Sequence, residues 1–101
     1  MEPIEVFKKT EHDGELEYMV IMGHGSTDVG FLVKVNRKCL ETLAKGRHSP
    51  ETLIKKTFRF LLKRQSQYSI QRIFCIEDIG EKYPEYEEEM KKRSLFWFTL
   101  A

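Results

Sequence analysis

The stretch Ser49 to Arg64, SPETLIKKTFRFLLKR, constrains this chain more than any other. Ser49 offers a side-chain oxygen to the free N–H groups of a helix start, Pro50 suits the first helical position, and Glu51 favours the positive end of the helix dipole. Leu53, Ile54, Thr57, Phe58, Leu61 and Leu62 recur at helical spacing with Phe60 on their flank, while Lys55, Lys56, Arg59 and Lys63 fall on the opposite side. The pattern predicts an amphipathic helix over 50–64 with one face buried and the other cationic.

A chain of 101 residues, 41% hydrophobic and 33% charged, has material for one small domain around a single modest core. Its net charge of +1 argues against a strongly basic nucleic-acid coat, but the charge is segregated. Lys34 to Arg64 holds ten Lys or Arg against Glu41 and Glu51, and Glu77 to Glu89 holds seven acids against Lys82. The simplest account is mutual neutralisation in the fold. The cationic face Lys55, Lys56, Arg59 and Lys63 becomes a binding candidate only where the acidic segment packs elsewhere. Cys39 and Cys75 have no Cys-x-x-Cys or Cys-x-x-His partner and sit among apolar neighbours, so both read as buried thiols. No cofactor or metal is expected. Neither a signal-like N-terminus nor an apolar run of membrane-spanning length is present in the sequence, which makes a cytoplasmic protein away from membranes the expectation.

In chain order, Ile4 to Lys9 alternates imperfectly and reads as an edge strand, and Asp13-Gly14 is a tight hairpin signal because both residues tolerate positive φ. In the next strand, Glu15 to Met22, Leu16, Tyr18, Val20 and Met22 share one face. Met19 and Ile21 lie on the other, so the late part is expected to be covered on both sides. Gly23 to Asp28 links to a third strand, Val29 to Val35. That link is no phosphate loop, since a strand rather than a helix follows it. His24, Ser26 and Asp28 crowd into one turn and cannot hold a catalytic relay. Asn36 caps a short helix over 37–45, and His48 reads as a solvated loop residue. Ser66 or Ser69 opens a predicted helix over 69–75 carrying Ile70, Ile73 and Phe74. Residues 77–83 hold at most a helical turn, and Pro84 starts a polar, solvated helix over 84–93. The expected fold is α+β: a three-stranded antiparallel meander over 4–35 followed by three to four helices, in a single domain spanning 1–93.

Residues 94–101 break the usual rule for chain ends. Phe96, Trp97, Phe98 and Leu100 together form an apolar cluster that water would penalise, so they are expected to dock on their own domain, a second copy or a partner.

Two resemblances attach to these residues. The succession SPETLIKKTFRFLLKR, SIQRIF, IGEKYPEYEEEM resembles a recurrent family of small bacterial proteins with a β-rich start, a Ser/Asp-Pro-Glu helix and a Phe-Pro-Glu-Tyr-like segment. It implies a bacterial source and a compact α+β domain, and carries over no catalytic residue. Cys75 departs from that pattern, which has the helix-capping residue Asp there. Phe31 to Arg64 is similar in order to ribbon-helix-helix DNA-binding proteins. That likeness implies base contacts from Leu32 and Lys34, a phosphate contact at Ser49, and a strand that pairs with its dimer mate. Leu32 is a poor base reader, and the two preceding strands compete for the edge the ribbon needs. The sequence thus favours a non-enzymatic protein-interaction or self-associating module, with a homodimer or a protein as partner. Nucleic-acid binding through the basic helix face is the alternative.

Overall fold

The computed structural model describes residues 4–23, 28–44 and 48–91. They form an α+β domain in the order β1 (Ile4–His12), β2 (Glu15–Met22), β3 (Val29–Asn36), α1 (Arg37–Ala44), α2 (Pro50–Leu62), β4 (Ile73–Cys75), α3 (Ile76–Lys82) and α4 (Tyr86–Lys91). The hairpin turns on Asp13 (φ 51°) and Gly14 (φ 80°), the positive-φ pair that matches the twist of the flanking strands. A bulge between Lys8 and Thr10 shifts the β1–β2 register. It returns Thr10 to the face of Glu17, from which it is separated by a hydrogen bond of 3.2 Å.

The sheet is mixed and four-stranded in the order β1-β2-β3-β4, with β4 parallel to β3. This corrects the expected three-stranded meander and the helix over 69–75. Ser66 to Ser69 closes a turn, Ser69 N donating to Ser66 O at 3.0 Å. Leu32 N then donates to Arg72 O at 2.7 Å, and Ile73 to Cys75 run alongside Leu32 to Lys34. Three residues carry too little periodicity to separate a strand from a helical turn, and pairing with β3 decides. Cys75 then stands at the N-cap of α3 in an extended conformation with no side-chain cap hydrogen bond. α3 is a full seven residues and passes through Gly80.

Ser49 caps α2, its Oγ accepting from Thr52 N at 3.1 Å, and Pro50 takes the first helical position. Asn36 does the same for α1, accepting from Lys38 N at 2.8 Å. Leu53, Ile54, Phe58 and Leu61 of α2 pack against Tyr18, Val20, Phe31 and Val33 in one core. The Phe58 ring meets Phe31 edge-on at 5.1 Å. α4 is less solvated than its charges suggest, since Tyr86 and Met90 are buried. Tyr86 shares a 2.8 Å hydrogen bond with buried Thr57, and Lys56 Nζ donates to Met90 O at 3.1 Å. These contacts fasten α4 to α2.

Candidate functional site

The described helices cover one face of the sheet, and the strand residues of opposite parity form the other. Strand register aligns Phe7 with Met19, Met19 with Leu32, and Leu32 with Ile73. One apolar row therefore crosses all four strands. Its ends are open, Phe7 at 50% and Ile73 at 61% exposure, and Met19 and Leu32 between them are half-buried. Ile21 and Gly30 pair in the row on one side, and Glu17 and Lys34 pair in the row on the other. A Cβ placed on Gly30 would meet nothing within 4 Å, so the face is indented there. An apolar strip flanked on one side by charges of both signs is the pattern of an interaction surface. Met19 and Ile21, expected to be covered on both sides, have no described helix over their outer face.

The second surface lies in the helical layer. An open groove of about 400 Å³ runs between α2 and α4, lined by His48, Thr52, Lys56, Arg59, Lys63 and Glu89, with Phe60 and Met90 as its apolar floor. Three of the four predicted cations thus come together, and Lys55 does not line the groove. Thr52, Lys56, Arg59 and Lys63 form one stripe of α2 at spacings of four, three and four. His48 joins them because it directly precedes the helix cap. Burial holds the Lys56 ammonium below its usual pKa, against the nearby Glu89 carboxylate that raises it. Much of the acidic segment is engaged elsewhere. Glu77 accepts from Asn36 N at 3.1 Å, Glu85 pairs with Arg64 at 3.1 Å, and Glu87 pairs with Lys91 at 2.7 Å. The neutralisation expected from sequence is carried into the groove by Glu89, the acid among its described lining residues.

Of the remaining candidates, Phe96, Trp97, Phe98 and Leu100 lie outside the described residues, as do His24 and Ser26. Both cysteines are free and half-buried. Burial, with Glu77 nearby, pushes the Cys39 thiol up to about 11, and burial raises Cys75 too. β3 is hydrogen-bonded to β2 on one side and β4 on the other, so the paired ribbon implied by the ribbon-helix-helix likeness would require one of them to leave. Among the described residues, no three His, Cys, Asp or Glu side chains converge to hold a metal ion. No described helix is long and apolar enough to cross a membrane.

Neither the protein-family models, nor the curated proteins, nor the solved structures contain a match to this chain.

Proposed function

We propose that this protein is a non-enzymatic self-associating module whose open sheet face seats a second copy of the chain. The observation that carries the reading is the row Phe7, Met19, Leu32 and Ile73. The face is self-complementary about a two-fold axis parallel to the strands between β2 and β3. Such an axis sets Phe7 over Ile73 of the second copy, Met19 over Leu32, Glu17 over Lys34, and Ile21 over the indentation at Gly30. Apolar groups then meet apolar groups, charges meet opposite charges, and a large side chain meets a glycine, as an isologous interface requires. Four strands about 4.8 Å apart give a patch about 20 Å across. That size lies toward the low end for specific interfaces and corresponds to a weak, concentration-dependent dimer. A bacterial source is part of the same proposal and rests on the resemblance of SPETLIKKTFRFLLKR and the segments after it; a cytoplasmic setting rests on the sequence's lack of a signal-like N-terminus and of an apolar run of membrane-spanning length.

Sedimentation equilibrium over a wide concentration range tests the reading. The native chain should dimerise, Ile73→Lys should stay monomeric with an unchanged circular dichroism spectrum, and Glu17→Lys or Lys34→Glu should each weaken the dimer. The double variant E17K/K34E should recover it. A native chain that remains monomeric throughout, or an I73K variant that associates like the native chain, would refute the proposal.

A further inference from the structure

We propose that the groove between α2 and α4 is a binding site for a small phosphate-bearing ligand, a compact dianion gripped by Lys56, Arg59 and Lys63. The groove is concave and about 400 Å³, within the range of small-molecule sites and toward its lower end. Among the described lining residues, three cationic side chains stand with the one carboxylate of Glu89, a net excess of two positive charges. A phosphate monoester brings that charge on a single group.

The donor chemistry fits the same ligand. Arg59 presents a planar fork that matches two phosphate oxygens, and Lys63 adds a mobile point charge at the mouth. Ser49 Oγ donates to Thr52 Oγ1 at 2.9 Å, so the Thr52 hydroxyl has its own proton to offer an anion. Lys56 is already fixed, its ammonium bonded to Met90 O, so its charge is positioned before a ligand arrives. A polynucleotide fits less well. Lys55 lies off the stripe that lines the groove, Glu89 stands in the wall, and the chain as a whole carries a charge of only +1.

The test is an amide NMR titration of the full chain with inorganic phosphate and with glycerol phosphate, sodium chloride holding ionic strength constant. Saturable shifts at Thr52, Lys56, Arg59 and Lys63 are expected with either probe. Tighter binding of the ester would identify the organic substituent as part of the ligand, and equal binding would identify free phosphate as sufficient; both support the site. Arg59→Gln and Lys63→Gln should each weaken binding at least tenfold, and Lys55→Gln should leave it unchanged. Non-saturating shifts, equal loss in K55Q, or binding to an oligonucleotide but to neither phosphate probe would overturn the proposal. These side chains are in the helical layer, away from the sheet face, so failure here leaves the self-association reading standing.

Discussion

Thr57→Val is expected to destabilise the domain out of proportion to its small change in shape. Thr57 is fully buried, and its Oγ1 donates to Leu53 O at 2.9 Å, so at the 2.8 Å contact Tyr86 O–H is the donor. Valine keeps the volume and removes the acceptor, which leaves a buried phenol without it and costs about 1–3 kcal/mol. Tyr86→Phe removes the phenol hydroxyl instead, while Thr57 keeps Leu53 O, at a cost of about 0.5–1.5 kcal/mol. In the double variant no polar group is stranded, so its cost should lie near that of Y86F alone. The cycle then shows a coupling equal in size to the T57V cost, about 1–3 kcal/mol. Urea unfolding followed by circular dichroism resolves this, since a slope of about 1–2 kcal/mol/M turns the T57V loss into a midpoint shift of about 0.5–3 M. Single-variant costs that simply add would refute the reasoning, because they would mean the two hydroxyls do not depend on each other.

Other outcomes follow from the same geometry. Ser49→Ala should cost about 1 kcal/mol through loss of the Thr52 N–H acceptor, and Ser49→Gly only a few tenths, as urea unfolding would record. Glu11 is held below its ordinary carboxyl pKa of 4.5, first by its hydrogen bond from Lys8 and then by that from Arg37. A depressed folded pKa means stability that is present above the unfolded pKa and lost as pH falls through the folded one. Glu11→Gln should therefore flatten the acid side of a melting-temperature profile below about pH 4.5 and leave its shape near neutrality unchanged.

How much was legible in the sequence depended on how local each decision is. Asp13-Gly14 and Ser49-Pro50 signal through backbone preferences within a few residues, and the turn and helix start stand where those residues imply. Thr57 sits among apolar residues at helical spacing and is buried with them. β4 was hidden because Ile73 to Cys75 become a strand only by pairing with Leu32 to Lys34, far earlier in the chain. The apolar row was hidden for the same reason, since it exists only once the four strands take their register. Lys56, Arg59 and Lys63 were readable as part of a cationic face with Lys55, whereas Thr52 was not singled out. The groove they line was not readable, because its other wall is α4, whose burial of Tyr86 and Met90 its run of charges conceals.

The two surfaces divide the domain between its layers. The described helices pack on one face of the sheet, and the other carries an apolar row across four strands rather than the polar alternation that a solvated face favours. The helical layer faces away from that row, so a dimer closed through the sheets would turn both grooves outward. The bond between Thr57 and Tyr86 joins α2 and α4, the two helices that form the groove. Weakening it loosens the wall that carries Glu89 and Met90 and leaves the pairing of Phe7, Met19, Leu32 and Ile73 to the strand register. Ligand binding and self-association accordingly depend on separate sets of contacts within one small core.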